Sequence, residues 1–204
     1  MRILPRMIML LLMLIAAAVG WLGRRTRKRS PGESQPAQPP TVLTDPQADI
    51  RHRDWRVRVQ AVHALADAPD ATAVTLLTNA LADTDADVRE AAIHALSTCG
   101  DAAVPGLTAV LAQGNMDARQ AAAQTLGLIG SREAVPALIA ALEDESHWVR
   151  GPAARSLGLI ADDVAVEPLV AALEDPEPAV QAAARDSLRQ IGTRAALQAI
   201  ANKS

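Results

Sequence analysis

Phenylalanine and tyrosine are missing from this chain of 204 residues, and its aromatic side chains are three tryptophans, Trp21, Trp55 and Trp148. Half of the residues are nonetheless apolar, so any core must be built from Ala, Val, Leu and Ile. Such side chains suit closely packed helices better than a β-sandwich. A single cysteine, Cys99, excludes an intramolecular disulfide and a cysteine-rich metal cluster. No glycine-rich phosphate loop, Gly-x-Ser-x-Gly turn or paired-carboxylate motif stands out. Acidic residues are absent from the first thirty positions, which hold seven basic groups. Removing those seven from the total of 20 leaves 13 basic against 23 acidic groups in residues 31–204, a net of −10. An acidic body repels phosphate backbones, so nucleic acid is not an expected partner.

What the chain does have is repetition. VRVQAVHAL begins at Val57 and VREAAIHAL at Val88; ARQAAAQTL follows at Ala118, VRGPAARSL at Val149 and VQAAARDSL at Val180. The steps between starts are 31, 30, 31 and 31 residues. A fixed period of this size marks a stacked-repeat solenoid, in which each unit buries its apolar side against its neighbours. Counting the start as zero, offsets 0, 4, 7 and 8 are small or apolar in every copy, from Val57, Ala61, Ala64 and Leu65 onward, which is one stripe of an α-helix. Three residues before the starts stand Asp54, Asp85, Asn115, Ser146 and Glu177: four good N-caps and an acid suited to a helix N-terminus. Gly100, Gly130 and Gly192 close three of these helices. A second helix is marked by Ala73-Val74, Ala103-Val104, Ala134-Val135 and Ala165-Val166, each followed by leucines; Pro105 and Pro136 fall in its first turn. Pro152, inside a first helix, is expected to kink the stack or delay the helix start. No full partner helix is visible before Val57, and only a short helix over residues 194–201 follows Leu188, as suits the ends of a stack.

Residues 7–23 (MIMLLLMLIAAAVGWLG) carry no charge. As a helix they span roughly 25 Å, near the short limit for a bilayer core. Arg6 is placed to snorkel and Trp21 to sit at the interface. A cleaved signal peptide is the alternative, with a cleavage site near Ala16-Ala17-Ala18, but the five basic residues within residues 24–29 resist translocation. The same block places the solenoid in the cytoplasm by the positive-inside rule; a periplasmic location is the alternative. Pro31, Pro36, Pro39, Pro40 and Pro46 make residues 30–48 a semi-extended linker. The expected organisation is therefore a membrane anchor over 1–23, a basic flank and linker over 24–48, and an all-α solenoid of about five helix–turn–helix repeats over 49–204.

The unit resembles a HEAT repeat. Its pattern (Asp, four residues, Val-Arg, two residues, Ala-Ala, then Leu-Gly) is clearest in residues 144–161, and Ala-Val-Pro-Ala-Leu in residues 134–138. It is most similar to the short HEAT-like units of phycobilisome lyases, over residues 50–204. The resemblance implies a structural ladder between neighbouring units, drawn from Arg58, Arg89, Arg119 and Arg150 with Asp83, Asp144 and Asp175; Gln181 would end it. It also extends to deoxyhypusine hydroxylase, whose iron ligands come as His-Glu pairs. Here the residues after His52, His63, His94 and His147 are Arg53, Ala64, Ala95 and Trp148, so that activity is not carried over. His63 and His94 share one column of the first helix, but Gln124, Arg155 and Asp186 continue it, which is no ligand set for one ion. No metal, cofactor or catalytic residue is assigned. Cys99 takes the place of Ile129, Ile160 and Ile191 and is expected to be a buried small apolar residue.

The remaining candidate is a protein-binding groove along offsets 2 and 6. One row is Val59, Glu90, Gln120, Gly151 and Ala182, and the other His63, His94, Gln124, Arg155 and Asp186. The expected function is that of a membrane-tethered scaffold, not an enzyme, that holds an unknown protein partner near the bilayer. Alternatives are a bilin lyase/isomerase-like enzyme, for which only Trp55 and Trp148 offer stacking groups in the body, and an exported periplasmic binder.

Overall fold

The computed structural model describes residues 45–202; the expected membrane helix at residues 7–23, the basic flank and most of the linker lie outside the described residues. The end of the expected linker, from Pro46, is helical. Pro46–Asp49 form a single helical turn, α1, because Asp45 accepts the Gln47 N–H at 3.0 Å and Pro46 supplies a pre-set first position.

Two series of helices then alternate. The first comprises α2 (Trp55–Ala66), α4 (Ala86–Cys99), α6 (Met116–Ile129), α8 (His147–Ile160) and α10 (Pro178–Ile191); the second comprises α3 (Ala71–Ala80), α5 (Val104–Gln113), α7 (Val135–Ala140) and α9 (Val166–Ala171), with α11 (Arg194–Asn202) closing the chain. The result is an all-α solenoid. Asp54, Asp85, Asn115 and Ser146 each cap a first-series helix by accepting a backbone N–H two or three residues on. Glu177 makes no such bond, and α10 opens on Pro178 instead. Gly130 and Gly192 end α6 and α10 in the left-handed region, at φ 73° and 68°. Gly100 also has positive φ, 60°, but its ψ of −141° leads directly into a 3-10 turn. At the end of α8 the left-handed position falls to Ala161, at φ 55°. Pro152 does not delay its helix: α8 starts at His147, directly after its Ser146 cap, and runs through the proline.

The second series is shorter than the leucine spacing suggests. In α7 and α9 the α-helix stops after six residues, and Leu142 and Leu173 fall in the 3-10 turns Ala141–Glu143 and Ala172–Glu174. Both leucines remain buried. Between the two series lies the core: Leu96, Leu126, Leu157 and Leu188 from the first, and Leu77, Leu107, Leu138 and Leu169 from the second, all fully buried. Each contributes about 1.5–3 kcal/mol of burial, and none finds that shelter within its own unit alone. Ala86–Gln113 is apolar and long enough to cross a membrane, but it comprises α4, a 3-10 turn and α5, whose inward faces belong to this core.

Neighbouring first-series helices pack more closely than neighbouring second-series helices. The tightest contacts are α6 to α8 and α8 to α10. Glycine makes them possible. A Cβ built on Gly127 would lie 2.9 Å from the Ser156 Cα, and one on Gly158 would lie 2.7 Å from the Ser187 Cα. In that space Ser156 Oγ donates to the Ala123 carbonyl at 2.7 Å and Ser187 Oγ to the Ala154 carbonyl at 2.8 Å. Each buried serine thus bonds the preceding helix's backbone. Between α4 and α6 the equivalent positions are Ser97 and Thr125, and both hydroxyls bond back to their own helices, at the His94 and Ala121 carbonyls. This junction is the loosest within the first series.

Candidate protein-binding face

Three arginines on the first series make one contact over and over. Arg58 Nε and Nη2 fork onto the Asp83 carboxylate at 2.7 and 2.8 Å. Arg119 does the same to Asp144 at 2.8 and 2.9 Å, and Arg150 to Asp175 at 2.7 and 2.9 Å. Each pair joins one unit to the next, 25 residues on. The third nitrogen, Nη1, donates back to the arginine's own entry loop, at His52, Gly114 and Asp144 respectively. Each aspartate also accepts the N–H two residues ahead, at Asp85, Ser146 and Glu177. Forking by Arg150 outweighs burial and holds the Asp175 carboxyl below the usual range. At Asp83 and Asp144 burial acts first and upward, but the arginine fork, the backbone N–H and the next arginine together bring the net below the usual value. The guanidinium of each pair is raised in turn, chiefly by its aspartate.

Arg89 departs from this pattern. Its Nη1 donates to the Asp83 carbonyl at 2.7 Å, as in the other units, but 25 residues on stands Gly114, which brings no carboxylate. Among the described residues no acid forms an ion pair with it. Gln181 makes only the carbonyl bond too, from Nε2 to Asp175 at 2.8 Å.

The groove residues lie on the first series of helices. Glu90 and His94 on α4 and Gln120 and Gln124 on α6 come together around a shallow depression of about 370 Å³, which Arg89 also lines. Val59 and His63 are on α2, away from it. Gly151 is buried, with the Arg155 guanidinium 3.7 Å from where its Cβ would stand, so the row of small residues is covered there. Arg155 and Asp186 are exposed, and Asp186 is already engaged by Arg189 at 2.7 Å. Cys99 is half-buried against the core; its Sγ lies 3.4 Å from the Ala95 carbonyl, and burial pushes the thiol up. Among the described residues no three of His, Cys, Asp and Glu are grouped to hold a metal ion. Trp148 is 58% exposed at the start of α8 with His147 beside it, whereas Trp55 on α2 is half-buried beneath the Arg56 guanidinium.

Two features escaped the sequence reading. Arg89 belongs to the depression as well as to the arginine column; the 30-residue step between Val88 and Ala118 and Gly114 in place of an aspartate were the visible signals. A second concavity of about 690 Å³ lies between α7 and α9, with the exposed Glu143, Glu167 and Glu174 around it.

The computed fold is similar to known structures over most of its length. It is like the complex of CpcE and CpcF of phycocyanin lyase from Nostoc sp. PCC7120, at 26% identity and a TM-score of 0.56, over 80% of this chain and 70% of that one. It is like human deoxyhypusine hydroxylase at 26% identity and a TM-score of 0.51, over 85% of this chain but 53% of the enzyme. A designed armadillo repeat protein shares the fold at 18% identity and a TM-score of 0.50, over 78% of this chain and 86% of that one. No curated protein sequence matches the chain. The family model for HEAT repeats matches residues 47–117, 104–189 and 149–202, which between them cover the whole described stack. The helix pairs, the 31-residue beat and the Arg–Asp rungs are therefore those of a HEAT-repeat protein, and the chain belongs to that family.

Proposed function

We propose that the chain is a non-enzymatic scaffold whose first-series face binds another protein, and that residues 7–23 tether it to a membrane. A HEAT-repeat solenoid points to a protein-binding role. The observation that carries the finer reading is the depression between α4 and α6, where polar side chains of two units converge on one side of the stack. Its depth suits an extended segment or a helix. Tethering raises the effective concentration of a membrane-proximal partner, so that even weak binding is useful. The basic block over residues 24–29 favours a cytoplasmic solenoid.

Capture from cells with the full chain tests this reading, compared with a Glu90→Lys, Arg155→Glu variant of the same chain. Loss of specific partners in the variant is expected; identical partner lists would reject the face. A reporter fused after Ser204 and scored by compartment reads the orientation. An external signal would turn the proposal into the exported form, and sequencing the mature N-terminus tells whether residues 1–23 are kept.

A second reading, a bilin lyase-like enzyme or subunit, is favoured by the likeness to the phycocyanin lyase complex. A shift of the visible absorption band when bilin is added to the pure chain would support it.

A further inference from the structure

We infer that Arg89 is a docking point for a carboxylate side chain, Asp or Glu, of the protein bound on the first-series face; this rests on the scaffold reading. Arg58, Arg119 and Arg150 show what this arginine does at its position in the repeat: Nη1 holds the entry-loop carbonyl, while Nε and Nη2 grip an aspartate from the next unit. Arg89 keeps the first half of that arrangement. Among the described residues the second half has no taker, because Gly114 stands at the rung position. The side chain instead lines the surface depression between α4 and α6.

The surroundings select a carboxylate. Glu90 and Asp117 flank the depression and disfavour a doubly charged phosphate at a single arginine. They do not exclude one carboxylate, since Arg58 takes Asp83 with Asp54 and Asp85 close by. Gln120 and Gln124 offer amides to the backbone of an incoming segment, and Ile93 and Ala121 give it an apolar floor. A bidentate guanidinium–carboxylate contact is charge-assisted and directional, so it fixes register as well as affinity.

The test uses the full chain in detergent and a peptide copied from the loop that Arg119 already binds, acetyl-Ala-Leu-Glu-Asp-Glu-Ser, from residues 141–146. NMR of the arginine Nε–H groups reads it directly. The signals of Arg58, Arg119 and Arg150, already forked, serve as internal references and stay still, while that of Arg89 moves saturably as peptide is added. A peptide with Asn and Gln in place of its acids is expected to bind at least tenfold more weakly. Arg89→Gln is the clean variant: Gln181 shows that glutamine keeps the entry-loop carbonyl bond, so the fold is retained while the fork is lost. It should lower acidic-peptide affinity at least tenfold, and Arg89→Lys should not restore it. An unmoved Arg89 signal, equal binding of both peptides, or binding unchanged by Arg89→Gln overturns the proposal. Partner capture keeps the two ideas apart. If Glu90→Lys, Arg155→Glu loses partners while Arg89→Gln binds all of them, the face stands and the carboxylate dock falls. If Arg89 takes the peptide and the double variant still captures every partner, the dock stands and the broader face falls.

Discussion

Gly158 on α8 and Ser187 on α10 lie so close that a Cβ on the glycine would come within 2.7 Å of the serine Cα, and the Ser187 hydroxyl bonds the backbone of α8 at Ala154. The obstructing atom is main chain, so no rotamer change relieves it. Gly158→Ala is therefore expected to push the two helices apart and destabilise the chain by about 1–3 kcal/mol. Chemical denaturation of the variant measures it; a loss below a few tenths of a kcal/mol would show that the helices part freely.

Ala161 presents the opposite case. It holds a left-handed conformation that Gly130 and Gly192 occupy at the ends of α6 and α10. A Cβ there costs roughly 1–2 kcal/mol, partly offset by glycine's greater freedom in the unfolded chain. Ala161→Gly should therefore stabilise by about 0.5–1 kcal/mol, read as a shifted denaturation midpoint with an unchanged slope.

Asp144 receives the Arg119 fork and the Ser146 N–H. Asp144→Asn keeps the shape but removes the charge, and is expected to cost about 1–3 kcal/mol at neutral pH. The measurement is the drop in unfolding free energy against the unaltered chain.

Acid should weaken the same rungs. Asp83, Asp144 and Asp175 have folded pKa values below their unfolded ones, so the unfolded chain binds more protons and stability rises with pH in that window. The contribution is complete above the ordinary aspartate value of about 3.9 and is lost as pH falls through the lower folded values. Denaturation between pH 2 and 5 should show this slope, and Asp144→Asn should make it shallower.

The α4–α6 junction lacks both a rung and a cross-helix serine bond. Units joined weakly open separately. Hydrogen exchange of the full chain should find α2 to α5 less protected than α6 to α10; uniform protection would contradict a weak seam.

Much of this architecture was legible before any coordinates. Periodic leucines, the Asp, Asn and Ser caps and the terminal glycines announce helices, because each acts within a few residues of itself. The rungs were accessible through the HEAT resemblance, which supplied the partner that spacing alone does not. The contact between Gly158 and Ser187 was not legible. A glycine reads as a helix weakness until the distance to the neighbouring helix is known, and that distance depends on every unit's packing. For Pro152 the local rule allowed a late start or a kink, and the late start is not found, because Ser146 still fixes where α8 begins. The candidate face divided similarly. Offsets 2 and 6 named the rows, while the gathering of Glu90, His94, Gln120 and Gln124 around one depression between α4 and α6 is not encoded by any single unit.

The rungs reach 25 residues along the chain and the serine bonds 33, so the bonds described here tie a unit to its neighbour. Removing or adding one whole 31-residue module would therefore strand no partner farther along the stack. The 30-residue step to Ala118 falls at the one junction among the described residues without a rung, so the departure from the beat and the missing contact coincide.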